Sequence, residues 1–171
     1  MKRKYSIVAA TTLDGCIARY PGHKSGWTSK EDKQHLHSLE DRADVLLLAS
    51  RTYNLARKFL RKRNCLIMTR KVKNVRIAGK KEVYINPSGK SIEGYVREKG
   101  YKKICVLGGR AAYDYCMEHG LVDDIYLTIE PIAFGSGIGM FSARVPDMEF
   151  ILISMKKLNS RGTLLLHYRK K

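Results

Sequence analysis

The run Lys103-Ile104-Cys105-Val106-Leu107 ends in Gly108-Gly109 and passes straight into the helical pattern Arg110-Ala111-Ala112-Tyr113. This is the layout of a buried strand whose carboxyl end delivers a ligand to a helix N-terminus. Glycine has no Cβ and lets the backbone approach a bound group closely. The first turn of the helix adds unpaired N–H groups and the positive end of the helix dipole, which suit a phosphate. Taken alone, the same residues also describe a tight turn, so their meaning depends on what the rest of the chain places beside them.

Short apolar runs alternate with helical patterns, which argues for an α/β body. Strands are expected at residues 6–11, 44–49, 65–69, 82–85 and 104–107, and the run 44–49 is apolar throughout, as at a sheet centre. Helices are expected at 29–39, 52–60, 91–99 and 111–119. The first has Thr28 or Ser29 as its cap and Glu31 and Asp32 in its first turn, where the dipole favours acids. Gly120 ends the last. Residues 19–26, with Pro21, Gly22 and Gly26, read as a loop. The tail differs, with strands at 124–130, 149–156 and 163–169 and a hairpin turn at 159–162. A single domain spanning 1–171 is expected.

In open α/β sheets ligands bind at the carboxyl ends of the strands. Here those ends are Ala10-Thr11, 49–52, 69–71 and 107–110. The first three supply small or hydroxyl-bearing residues and cations, and the fourth is the glycine turn. Together they form a cradle for a long anionic ligand whose phosphates meet different loops.

The net charge of +17 is the chain's oddest global property, with basic residues clustered at 57–63, at 70–81 and at the C-terminus. It fits a solvated basic surface, attraction of an anionic small molecule, or binding of nucleic-acid phosphates. Nothing resembling a zinc finger or an aromatic-bearing RNA-binding strand supports the last of these. Cys16, Cys65, Cys105 and Cys116 form no C-x-x-C pair and read as buried reduced thiols. His35 and His37 are two residues apart and off a common helix face, so no metal site is expected. No apolar run approaches the ~20 residues of a membrane span, and residues 6–10 are too short for a signal-peptide core. A cytoplasmic protein is expected.

Six segments, in order along nearly the whole chain, resemble the dihydrofolate reductase-like superfamily. Val8-Ala9-Ala10-Thr11-Thr12-Leu13-Asp14-Gly15-Cys16-Ile17-Ala18 resembles its first strand and the start of its mobile active-site loop. Trp27-Thr28-Ser29-Lys30-Glu31-Asp32 resembles the tryptophan followed five residues later by the substrate-binding acid. Ala49-Ser50-Arg51-Thr52-Tyr53 resembles the G-R-x-T cofactor motif, with Ala49 for its glycine, Ser50 for its arginine and Arg51 displaced by one. The segment 64–70 resembles the strand whose Ser/Thr-Arg pair grips the 2′-phosphate of NADPH. Leu107-Gly108-Gly109-Arg110-Ala111-Ala112-Tyr113 resembles the Gly-Gly motif under the pyrophosphate, and Tyr126-Leu127-Thr128 the strand whose threonine supports the acid.

The resemblance implies a three-layer α/β/α fold, with a central mostly parallel sheet and an antiparallel C-terminal hairpin. It implies an NADPH-dependent reductase with Asp32, Trp27 and Thr128 as catalytic residues. The cofactor would meet Ala10, Ile17, Ala49, Ser50, Arg51, Thr52, Thr69, Arg70, Lys71, Leu107, Gly108, Gly109, Arg110, Ala111 and Tyr113. The substrate would meet Val8, Ala9, Asp32, Leu36, Leu107 and Thr128. Hydride transfer to a C=N bond needs a proton on nitrogen, and a partly buried Asp32 beside Leu36 and Leu39 would have its pKa raised toward that task. Arg70 and Lys71 fit either a phosphate contact or a solvated surface, with the strand-end address favouring the phosphate for Arg70. Tyr113 fits either core packing or a lid over the nicotinamide, and Asp14-Gly15 a turn.

Dihydrofolate is the expected substrate, with Arg61 or Arg63 meeting its carboxylate tail. The segments Gly120-Leu121-Val122-Asp123-Asp124-Ile125 and 130–137 instead resemble the branch that reduces the ribosylamino-pyrimidine of riboflavin synthesis. That branch's aspartate-rich motif is replaced here by Asn54-Leu55-Ala56-Arg57. Its zinc deaminase domain is not found in these residues. A pterin or pyrimidine partner and a monomer or homodimer follow. A non-catalytic nucleic-acid-binding module is the reading from a different class.

Overall fold

The computed structural model describes residues 2–171. The first strand, β1 (Lys4–Thr11), leads through β2 (Cys16–Ala18) and a 3-10 turn (Ser25–Trp27) to α1 (Lys30–Arg42). There follow β3 (Val45–Ala49), α2 (Ser50–Leu60), β4 (Cys65–Met68), β5 (Val75–Gly79), β6 (Glu82–Ile85) and α3 (Ile92–Glu98). The chain closes with β7 (Lys103–Gly108), α4 (Arg110–Glu118), β8 (Val122–Ile129), β9 (Ile138–Gly139), β10 (Phe150–Lys157) and β11 (Leu164–Lys170).

Nine strands form one sheet in the order β10-β11-β8-β1-β7-β3-β4-β6-β5. The pairs from β8 through β6 are parallel, and the pairs β10–β11, β11–β8 and β5–β6 at the two margins are antiparallel. The sheet thus has the mostly parallel centre and antiparallel C-terminal hairpin expected. β3 is buried at four successive positions because helices cover both its faces. One face packs Leu36 and Leu39 of α1 and Tyr53, Ala56 and Leu60 of α2 on Val8, Leu46, Leu48 and Ile67. The other packs Ile92, Tyr95 and Val96 of α3 and Ala112, Tyr113, Cys116 and Met117 of α4 on Ile7, Leu47, Leu66 and Val106. This is the α/β/α layering. All four cysteines are free and buried.

Three short strands go beyond the sequence expectation. β5 lies inside the basic run 70–81, its ladder to β6 holding an otherwise solvated segment. β2 and β9 pair with each other and join the loop after β1 to the loop after β8. α1 also runs on to Arg42, past the expected end at 39. At the opposite margin, β10 leaves Ile151, Leu152, Ile153 and Met155 exposed. No helix among the described residues is long and apolar enough to cross a membrane.

Candidate active site

The strand ends singled out by the sequence converge. Thr128 stands opposite Ala10 in the β1–β8 ladder, Leu48 opposite Gly108, and Ala49 opposite Met68. The β3–β7 ladder slips by one residue between Leu47, which faces Val106, and Leu48, so Leu107 is skipped. Its carbonyl oxygen lies 3.2 Å from the Tyr113 hydroxyl, which donates to the Val8 carbonyl at 2.8 Å. Burial pushes the Tyr113 phenol far above its ordinary range, so it remains a donor. The Tyr113 ring is packed in the core, 3% exposed beneath the strand ends.

Gly108 and Gly109 are fixed by their neighbours. Gly108 has φ +99°, and a Cβ there would stand 2.8 Å from the Tyr113 ring. A Cβ on Gly109 would stand 3.0 Å from Thr52 Oγ1, which places the first turn of α2 against the start of α4. Ser29 and Ser91 cap α1 and α3 by accepting backbone N–H bonds. α2 and α4 begin at Ala49 and Gly109 with no side-chain cap. Their first-turn N–H groups are left to solvent or to a ligand, at the positive ends of two adjacent dipoles. Ser50 is half-buried and Arg51 exposed at the start of α2, and Arg110 and Ala111 are exposed at the start of α4. Arg70 and Lys71 are exposed just past β4, where the Lys71 N–H donates to Thr69 Oγ1 at 3.2 Å. Glycines that admit no Cβ, two uncapped helix starts and nearby cations suit the pyrophosphate and 2′-phosphate of a dinucleotide.

Asp32 sits across the edge of β1 from this cradle. The Ser29 hydroxyl accepts its backbone N–H at 3.2 Å, which sets the first turn of α1. Asp32 is 7% exposed. Burial raises its carboxyl pKa above the ordinary aspartate range, while the neighbouring Thr128 and Thr28 hydroxyls act to lower it. The negative charge of Glu130 adds to the rise and Lys33 opposes it. Leu36, one turn on, packs half-buried against the Val8 cluster. Val8 and Ala9 are buried.

Trp27 lies edge-on to Phe134 at 5.1 Å, and its indole Nε1 is buried with no acceptor among the described residues. The Arg19 guanidinium sits 4.1 Å from the Phe134 ring centre. The backbone N–H groups of Phe134 and Gly135 donate to Asp14 at 3.1 and 2.7 Å, and the Thr12 hydroxyl donates to it as well. These bonds, Thr12 first, bring the Asp14 carboxyl down to about 2. Asp14 is therefore more than a turn residue, because it ties the loop after β1 to the loop after β8. Ile17, in β2, is half-buried against the core of the α3–α4 face.

Sequence reasoning missed Glu130. It follows β8 directly, is 1% exposed, and accepts the Ser29 N–H at 2.6 Å and the Thr163 hydroxyl at 2.8 Å. The spacing Thr128-x-Glu130, which puts both side chains on one strand face, was the signal. Of the two arginines expected at a substrate carboxylate, Arg63 is held by Asp41 at 2.6 Å and Glu40 at 3.4 Å.

No known family profile matches the chain. It is 21% identical over 176 residues to the uncharacterized protein YwjB of Bacillus subtilis (strain 168), covering 98% of both chains. Among solved structures it is similar to a pyrimidine reductase-like protein of Corynebacterium diphtheriae, with a TM-score of 0.77 and 14% identity, covering 99% of this chain and 92% of that one. It is also similar to a diaminohydroxyphosphoribosylaminopyrimidine deaminase/5-amino-6-(5-phosphoribosylamino)uracil reductase of Thermotoga maritima. That match has a TM-score of 0.70 and 18% identity, and covers 99% of this chain and 57% of that one. At these identities the likeness is one of fold.

Proposed function

We propose that this chain, which has the dihydrofolate reductase-like fold, is an NADPH-dependent reductase of a ribosylamino-pyrimidine. The observation that carries the reading is the buried Asp32 carboxyl, set beside the buried Thr128 and Thr28 across β1 from the Gly108-Gly109 cradle. The solved structures of like fold favour a pyrimidine over dihydrofolate, since two are named as acting on or resembling enzymes of pyrimidines. So does the engagement of Arg63 with Asp41 and Glu40. Dihydrofolate remains the second reading, favoured by the Trp27, Asp32 and Thr128 arrangement.

NADPH, when bound, would supply a hydride to C1′ of the ribosylamino group, after its C1′–O4′ bond has opened to the C1′=N imine with the amine proton passing to O4′. The first turns of α2 and α4, with Thr52 and Gly109, would hold its pyrophosphate. Thr69, Arg70 and Lys71 would meet its 2′-phosphate. In its protonated form Asp32 delivers the proton to the imine nitrogen as C1′ is reduced, and its carboxylate then accepts from an N–H of the heterocycle. Thr128 holds one Asp32 oxygen so that the other faces the substrate. The Leu107 and Val8 carbonyls, fixed by the Tyr113 hydroxyl, line the floor beneath the ring. Trp27 and Phe134 exclude water on the loop side, and the buried Trp27 N–H is satisfied by a substrate oxygen or a single water.

The first test is binding. NADPH should quench Trp27 fluorescence saturably and more tightly than NADH, and no binding of either would end the reading. A homodimer through β10 accompanies it, because that edge carries unpaired backbone and four exposed apolar side chains. A monomeric mass in sedimentation would exclude the dimer without touching the chemistry.

A further inference from the structure

We infer that Glu130 is a positioning residue for Asp32, its carboxylate clamping the entry to α1 so that the acid stays seated against Thr128. The inference rests on the reductase reading for its effect on turnover and on geometry alone for its effect on Asp32.

Glu130 lies at the joint of three elements. One oxygen accepts the N–H of Ser29, the residue that caps α1, and the other accepts the Thr163 hydroxyl at the start of β11. Its own N–H donates to the Thr11 carbonyl at 2.8 Å, which fixes it to the end of β1. Asn159 completes the clamp. Its side-chain amide donates to Thr163 Oγ1 at 3.0 Å and to Glu31 at 3.2 Å, and its side-chain oxygen accepts the Thr163 N–H. The first turn of α1 is thus held at Ser29 and Glu31, three residues and one residue before Asp32 in the chain. A carboxylate with almost no exposure is costly unless bonded at both oxygens, and here it is.

The clamp also acts through charge. Lys33 and Glu31 on α1, Glu130 after β8 and the neutral Tyr113 on α4 are the titratable groups around Asp32, with Thr28 and Thr128 as uncharged donors. Among them Glu130 favours the protonated acid and Lys33 the ionised one. Glu130 therefore shifts Asp32 toward its protonated form.

The test is the carboxyl titration of Asp32, followed by carbon NMR in the full chain, together with turnover against pH. Glu130→Gln keeps the shape and an acceptor for Ser29 but removes the charge, so the Asp32 midpoint and the falling limb of turnover should both move to lower pH. Glu130→Asp keeps the charge but withdraws the carboxylate from Ser29. Turnover should then fall about tenfold or more with NADPH affinity unchanged. An Asp32 midpoint that stays in place in Glu130→Gln, or turnover unchanged in Glu130→Asp, overturns the inference. If Glu130→Gln does not fold, Glu130→Asp decides. If wild type turns over no pyrimidine or pterin, the reductase reading fails, and the NMR midpoint still decides whether Glu130 tunes Asp32.

Discussion

Asp32 and Thr128, both buried, are neighbours on two elements that are remote in the sequence: the first turn of α1 and the end of β8, opposite Ala10. The contact puts a buried acid at the carboxyl edge of a parallel sheet, where two uncapped helices begin. From it the consequences for activity and stability can be worked out.

Asp32→Asn removes the proton donor and retains the shape. Turnover at neutral pH should drop by about a hundredfold or more. NADPH affinity should stay within about twofold, because the cradle lies on the other side of β1. Fluorescence titration and initial rates check the pair of outcomes, and wild-type turnover in the mutant would refute the role of Asp32.

The same mutant should be more heat-stable than wild type at neutral pH. The folded-state pKa of Asp32 is raised by burial, so the native state binds the proton more tightly than the unfolded chain. Its stabilising share is complete below the ordinary aspartate value of about 3.9 and is lost as pH rises through the folded-state value. Asparagine carries no such penalty. Calorimetry should show the Tm advantage of Asp32→Asn shrinking as the buffer is made acidic. An advantage independent of pH would mean that Asp32 is not the buried charge described. Turnover by wild type should follow the same sign, falling as pH rises through the Asp32 midpoint.

Arg70→Ala should weaken NADPH by about tenfold or more and NADH far less, since only NADPH carries the 2′-phosphate. Calorimetric titration of both dinucleotides checks this. Equal losses would place Arg70 among the solvated cations.

Gly108→Ala should destabilise the fold by about 1–3 kcal/mol, since the residue has positive φ and its Cβ would press on the buried Tyr113 ring. Pairing it with Tyr113→Phe tests the link. The Phe ring keeps the clash with the carbon atoms but frees the hydroxyl's space, so the double mutant should recover part of the loss. Full additivity, read by denaturant melts, would deny that the two residues touch.

Much of this was legible in the chain. Ser29 with acids two and three residues on announced the start of α1, and the run 44–49 announced the sheet centre. Gly108-Gly109 announced a close approach, although not that Tyr113 and Thr52 are what approach. What stayed hidden was held by distant partners. Asp14 reads locally as a turn, because its acceptor role depends on Phe134 and Gly135. Glu130 precedes Pro131 and reads as a strand exit, because its two donors come from α1 and the C-terminal hairpin. β5 was masked by charge, since only two of its residues are aliphatic with branched side chains and its hydrogen bonds come from β6. The core packing of Tyr113 depends on the Val8 and Leu107 carbonyls, which lie on two strands remote from each other in the chain.

The most direct test is the rate of NADPH oxidation by the purified chain with 5-amino-6-(ribosylamino)uracil phosphate, set beside dihydrofolate and the Asp32→Asn variant. The account predicts oxidation with the pyrimidine, little with dihydrofolate, and a collapse of the rate in the variant. Oxidation of NADPH with neither substrate, or an equal rate in Asp32→Asn, would contradict it.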